Sequence, residues 1–188
     1  MNNNITYIFL RHAETKKDPS VNAFFWELSE KGKEESSRVS DLSIMQSVDM
    51  IYGSEEKKTR LTVEQLAKKL DKPIKPLTYF NEVKRGDVFL KKKEFCVEKE
   101  KQFQDIHYRA FGGESGYEAL GRFVEGVTFV SKGNENKTVL IVSHGTIMNL
   151  YFAKLLNAQN TSFDRWNKTP FCAYGIVYNK KVIRDIIK

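Results

Sequence analysis

The chain has 188 residues, 40% hydrophobic and 29% charged, with 13 Phe and 8 Tyr: enough for one well-buried core and too apolar for a disordered chain. Lys and Arg number 31 against 24 Asp and Glu, and the net charge of +7 attracts anions, but the basic clusters are scattered and no nucleic-acid-binding module is present. Two distant cysteines, Cys96 and Cys172, exclude a disulfide framework and the common zinc sites, and no apolar run nears the ~20 residues of a membrane-spanning helix.

In chain order, Met1-Asn2-Asn3-Asn4 lacks the basic and apolar regions of a signal peptide, so the cytoplasm is the expected compartment. Ile5 to Leu10 is a short apolar, β-branched and aromatic run that reads as a strand buried on both faces. Arg11-His12-Ala13-Glu14-Thr15 follows it, then a loop from Lys16 to Trp26. Leu28-Ser29-Glu30-Lys31-Gly32 reads as a helix start with Ser29 as N-cap, and the helix runs to about Met45. Val48 to Tyr52 is a second strand. Gly53 breaks it, and Ser54 followed by Glu55 and Glu56 predicts the start of a helix that stops before Pro73. Ile74 to Leu77 is a third strand, placed at a sheet edge because Pro76 cannot donate a hydrogen bond.

Residues 80–113 are the least regular part, with a helix expected around Lys93 to Asp105. From Glu114, Tyr117, Leu120, Phe123, Val124, Val127 and Val130 recur at three- and four-residue steps, an amphipathic helix. Thr138 to Val142 is the strongest buried strand, and Ser143-His144-Gly145-Thr146 opens another helix after it. Ala173 to Tyr178 and Val182 to Ile187 suggest a terminal strand pair. Strands alternating with helices over 1–188, without linker or repeat, predict one α/β domain of three layers: a mostly parallel central sheet with helices on both faces.

Ligands of an open α/β sheet bind at the carboxyl ends of its strands. Two of the three histidines stand there, His12 after the first strand and His144 after the strongest one; His107, between Ile106 and Tyr108, reads as structural. The segment Phe9-Leu10-Arg11-His12-Ala13-Glu14-Thr15 resembles the Arg-His-Gly motif of the histidine phosphatase superfamily, also called phosphoglycerate mutase-like. Further segments resemble that family in the same order. Leu28 to Gly32 is similar to its Leu-Thr-x-x-Gly helix start. Tyr52-Gly53-Ser54 with Lys58-Thr59 and Thr62-Val63-Glu64 is similar to its second basic motif. Glu82 falls at the position of its acid, Gly112-Gly113-Glu114-Ser115 precedes the long helix, and Val142-Ser143-His144-Gly145 matches the second His motif.

The resemblance implies phosphoryl transfer without cofactor or metal, on a small phosphorylated substrate or a phosphoprotein. His12 would be the covalent nucleophile, Glu82 the general acid and then base, with Glu14 as the competing acid. Arg11, Lys58, His144 and Thr15 would hold the phosphate oxygens. For Glu82 to hold a proton near neutrality, burial or the phosphate's charge must raise its pKa. Two positions depart from the pattern: Lys58 stands for an arginine, and Ala13 for a glycine. Lysine keeps the charge but loses the planar fork that grips two oxygens; Arg60, two residues further along the helix, points about 200° away. Related mutases carry a longer segment after the acid, whereas here only about thirty residues, many of them charged, separate Glu82 from Gly112, so hydrolysis is expected over isomerisation. A phospho-ligand-binding relative with weak catalysis is the other alternative. Phe89, Phe95, Phe103, Tyr108 and Phe111 would line a substrate pocket or belong to the core.

Overall fold

The computed structural model describes residues 4–85 and 91–187. At the centre of its sheet lie the two most apolar segments, β1 (Thr6–Arg11) and, far along the chain, the strand Thr138–Ser143. Both bury each face, as only inner strands of a covered sheet can. Between them in sequence come β2 (Met50–Gly53) and β3 (Ile74–Pro76); after them come β5 (Tyr174–Tyr178) and β6 (Lys181–Arg184), which makes Thr138–Ser143 β4. The spatial order is β3-β2-β4-β1-β5-β6. The first four strands run parallel, and β5 and β6 are antiparallel. Pro76 sits on the edge strand, as its missing N–H requires. Asn179 and Lys180, both at positive φ, turn β5 into β6 as a two-residue hairpin.

Strand alternation divides the core in two. Ile8, Leu10, Leu140 and Val142 pack with Val39, Val63 and Leu66 of α1 (Glu30–Asp41) and α2 (Lys57–Leu70). Phe9 and Ile141 face the other way, onto α4 (Gly116–Ser131) and α5 (Gly145–Leu156). There Phe9 meets Phe152 edge-on at 5.6 Å and Tyr151 at 5.2 Å, ring contacts that add to the area buried. On the same side, α3 (Lys92–Gln104) brings Phe103 against Phe163 and Trp166 of α6 (Ser162–Lys168). Helices cover both faces, the three-layer arrangement expected from the alternating pattern. Among the described residues no helix is long and apolar enough to cross a membrane.

Two local expectations are corrected. The first helix ends at Asp41, and Ser43–Ser47 continue as a 3-10 turn that brings Met45 into the core. Ser54 does not cap the second helix, which starts at Lys57 with Glu56 as its N-cap. Instead the Glu56 N–H donates to Ser54 Oγ at 3.0 Å, because the chain spends two further residues turning Glu56 inward before the helix begins. The short helix α6 goes beyond what periodicity reveals.

Ser29 caps α1 as expected: its Oγ accepts from the Gly32 N–H at 3.0 Å, while its own N–H donates to the Glu14 carbonyl at 3.0 Å. That contact draws the helix against the segment leaving β1, so tightly that a Cβ on Gly32 would lie 2.0 Å from the Glu14 oxygen. Backbone rather than a flexible side chain would have to move. Gly32→Ala is therefore expected to lower the unfolding free energy by roughly 3 kcal/mol, the upper range for overpacking, read by urea denaturation. A loss below about 1 kcal/mol would mean the helix backs away freely.

Candidate active site

The register of the central strands decides which side chains meet. Arg11 pairs with Ser143 across β1 and β4, so His12 and His144 leave the sheet side by side, with the His12 N–H donating to the Ser143 carbonyl at 3.0 Å. Gly53 of β2 pairs with Val142, which sets Ser54 at the same level. The ring centroids of His12 and His144 are 5.1 Å apart and the planes are inclined at 61°.

His12 Nδ1 lies 2.7 Å from the Ala13 carbonyl. A carbonyl only accepts, so Nδ1 carries the proton and Nε2 keeps the lone pair. Burial, reinforced by His144, Lys58 and Arg11, pushes the His12 pKa well below its ordinary value, and the ring is neutral and nucleophilic at pH 7. The alanine that departs from the family pattern has no positive φ, so its methyl costs no backbone strain. Its N–H donates to Thr62 Oγ1 at 2.9 Å, and Thr62 donates in turn to the Lys58 carbonyl.

Arg11 lies over the Phe171 ring at 4.4 Å and donates through Nη1 to the Thr169 carbonyl. Gly145 lets the start of α5 approach it, since a Cβ there would sit 3.0 Å from the guanidinium carbon. His144 is fully buried. Its Nε2 lies 2.8 Å from Ser54 Oγ and 3.1 Å from Glu56 Oε1, and burial with Lys58 nearby lowers its pKa well below the ordinary value against the opposing pull of Glu82. Lys58 is buried as well, its ammonium held by the Glu56 carboxylate and by the Ala23 carbonyl at 2.7 Å, with the Trp26 ring at 5.9 Å. Arg60 points outward and pairs with Glu64 at 3.1 Å.

Glu82 caps the amino end of α5: Oε2 accepts from Thr146 N–H at 3.1 Å, and Oε1 from Ile147 N–H at 3.2 Å and Val83 N–H at 3.0 Å. Burial works against its charge, but Lys99, His144, the Val83 N–H and Arg85 outweigh it and hold the carboxyl well below the carboxylate range. The expected upward shift is thus reversed in the free protein, because the nearby cations and the Val83 N–H favour the ionised form. The loop bearing Glu82 is clamped by Arg122, which donates to the carbonyls of Thr78, Tyr79 and Asn81 and pairs with Glu114 at 2.8 Å. That gives the Gly112-Gly113-Glu114-Ser115 segment its use: Glu114 holds the clamp, and Ser115 caps α4 in a capping box with Glu118.

Glu14 turns to α1, accepting from Ser29 Oγ at 2.9 Å and Lys31 Nζ at 3.2 Å. Thr15 forms an isolated bridge with Leu28 and closes the loop whose Ala23 and Trp26 meet Lys58. His107 is exposed and stacks on Tyr117. Of the five aromatics, Phe103 is core, Phe95 packs on Trp166 with Arg85 over its ring, and Tyr108 donates to Glu98. Phe89 and the side chain of Phe111 lie outside the described residues.

Sequence reasoning missed Glu56, read only as an acid near a helix start. It is 7% exposed and touches Lys58, His144 and the Glu82 N–H at once. Among the described residues four buried side-chain polar atoms have no hydrogen-bond partner. Three of them, Arg11 Nε, His144 Nδ1 and Thr146 Oγ1, belong to this one locus. Buried polar atoms are rarely left unpaired, and beside a helix amino terminus such a group suits an anion.

Residues 7–184 match the family model described as histidine phosphatase superfamily (branch 1). The chain belongs to that superfamily. Its fold is shared with phosphatases of known structure. It superposes with a TM-score of 0.75 on a phosphoserine phosphatase mutant from Entamoeba histolytica in complex with phosphoserine, at 20% identity over 92% of this chain and 89% of that one. For a mycobacterial glucosyl-3-phosphoglycerate phosphatase the TM-score is 0.74, at 18% identity over 91% and 88%. For the alpha-ribazole phosphatase of Shigella flexneri it is 0.73, at 17% identity over 96% and 94%. No curated protein matches the chain in sequence.

Because His12 and His144 are held neutral by the fold, the unfolded chain binds more protons than the native one below the ordinary histidine pKa of about 6.5, and stability falls as pH falls through that value. Urea denaturation between about pH 7.5 and pH 5 should show this decline, with a shallower slope in His144→Asn. Equal slopes in the two proteins would contradict the buried neutral imidazole.

Proposed function

We propose that this protein is a phosphatase that hydrolyses a small phosphate monoester through a phosphohistidine on His12, with side chains rather than a metal ion supplying the positive charge. The observation that carries this reading is the tautomer of His12: Nδ1 is tied to the Ala13 carbonyl, and the lone pair on Nε2 stays available beside His144 and its unpartnered Nδ1. In the first step Nε2 attacks phosphorus in line and the ester P–O bond breaks. In the second, water attacks the phosphohistidine, the P–N bond breaks, and His12 recovers its electron pair.

Arg11, Lys58, His144 and the α5 amides surround the equatorial oxygens, and Thr15 is assigned a supporting contact from the same loop. Glu82 protonates the departing oxygen and then takes the proton of the attacking water. Its carboxyl is ionised in the free protein, so in this scheme the dianionic phosphate, arriving against it, raises its proton affinity. The phosphatases of similar fold include proteins named for phosphoserine, glucosyl-3-phosphoglycerate and alpha-ribazole phosphate esters, which supports a small phosphorylated substrate. The short span between Glu82 and Gly112 supports water as the acceptor over a second hydroxyl of the substrate. Both cysteines are unpaired, in keeping with work in the reducing cytoplasm.

A screen of phosphorylated metabolites in chelator, following inorganic phosphate and isomer formation together, tests the assignment. His12→Ala is expected to lose on the order of 10³-fold or more in kcat and to form no acid-labile phosphoenzyme. Lys58→Ala is expected to lose about 10²-fold, as for other groups that stabilise developing charge. Turnover that persists in His12→Ala would refute the nucleophile, and isomer formation without phosphate release would replace hydrolysis by a mutase reaction.

A further inference from the structure

One buried carboxylate stands inside a site that must receive an anion. Glu56 Oε2 takes the Lys58 ammonium, and Oε1 takes the Glu82 N–H at 2.8 Å and His144 Nε2 at 3.1 Å. A negative charge there repels phosphate unless it does something that phosphate binding needs. A lysine in a buried site has two weaknesses that an arginine lacks: it gives up its proton readily, and its single nitrogen swings on a flexible stem. Glu56 answers both. It keeps a counter-charge against the ammonium, and with the Ala23 carbonyl at 2.7 Å it occupies two of the three N–H donors, so the third has one direction left. Its other oxygen lies 3.1 Å from Nε2 of His144, which hydrogen-bonds Ser54 Oγ at 2.8 Å; these contacts hold that end of the ring and leave Nδ1, buried and without a partner, to donate to the ligand when it carries a proton.

We propose that Glu56 is the positioning residue that allows a lysine to serve where this family carries an arginine: it gives the Lys58 ammonium a counter-charge and a direction, and steadies the ring of His144, for the phosphate. This deepens the phosphatase reading and rests on it. Glu56 meets the ammonium from the segment before α2, and Lys58 acts on both rings, His12 at the end of β1 and His144 at the end of β4; Arg11 adds positive charge at both rings, Arg85 adds it at His144, and Glu82 opposes it there. Only Glu56 among these is a carboxylate in contact with Lys58, so its removal leaves the ammonium among like charges and rings that share its sign on protonation.

Binding of inorganic phosphate, measured by calorimetry at about pH 8, reads the effect without requiring turnover. Glu56→Gln should bind phosphate at least about tenfold more weakly, since the ammonium loses the partner that aims it. Adding Lys58→Arg to Glu56→Gln should recover most of that affinity, because a guanidinium carries its direction in its own fork. A role of Glu56 in folding alone would not produce that rescue. Native affinity in Glu56→Gln, or a double variant as weak as the single one, would overturn the proposal. Should the Gln variant fail to fold, Glu56→Asp decides: it retains the carboxylate and should bind more tightly than Glu56→Ala, and equal binding by the two would count against the idea. Turnover of the same proteins separates the two claims, because native protein that binds phosphate with the expected coupling yet shows no His12-dependent hydrolysis refutes only the phosphatase reading.

Discussion

The pairing of β1 with β4 is the constraint on which the rest of the site depends. These strands are separated by more than a hundred residues of chain, yet they run parallel and in a register that places Arg11 against Ser143. A slip of one residue would turn Ile8 and Leu10 toward the aromatic side of the sheet and send Phe9 among the smaller residues around α1 and α2. Core packing thus fixes the register, and the register delivers His12 and His144 to the same end of the sheet. The site is a consequence of how Phe9 and Ile141 are buried.

Charge in the pocket follows from the same burial. Four groups that carry or can carry positive charge converge there, and burial lowers the proton affinity of both rings and of Arg11. The imidazoles accept that outcome and stay neutral, which suits a nucleophile. Two carboxylates compensate the remaining cations. Glu82 is fixed by backbone amides of α5, and Glu56 by Lys58, His144 and the Glu82 N–H, so the two acids are joined through one main-chain bond. The local charges are organised in pairs, and the net +7 of the chain has little to do with it.

The main features of the fold were legible because burial on both faces leaves an unmistakable run, as in Thr138 to Val142, and because α4 shows its apolar stripe over four turns. The two histidines were legible as residues at strand ends. What was not legible depended on contacts distant in sequence. The helix α6 has seven residues, too few for a period, and is held by Arg165 bound through both nitrogens to Asp185 and by Trp166 stacked on Phe163. Glu56 looked like an acid favouring a helix amino terminus, and only the inward turn after Ser54 shows otherwise. The direction of the Glu82 shift was missed for a related reason: nothing near Glu82 in sequence reveals that Lys99, seventeen residues on, will act on it against the cost of burial.

The two departures from the family pattern are of different kinds. Ala13 replaces a glycine at a place where the backbone needs no positive φ and where the functional atoms are its carbonyl and its N–H, bound to His12 and Thr62. Any small residue supplies those atoms, so the change is absorbed locally. Lys58, in the proposed phosphate site, stands in place of a planar fork. A point charge cannot reproduce a planar fork, and the surroundings must provide the direction that the guanidinium carries within itself. The Ala23 carbonyl and the Glu56 carboxylate do so from two sides, one from the loop closed by Thr15 and Leu28, the other from the turn before α2. A substitution in the backbone can be silent where one in a charged ligand cannot, because the first leaves the donors where they were and the second moves the problem of orientation onto its neighbours.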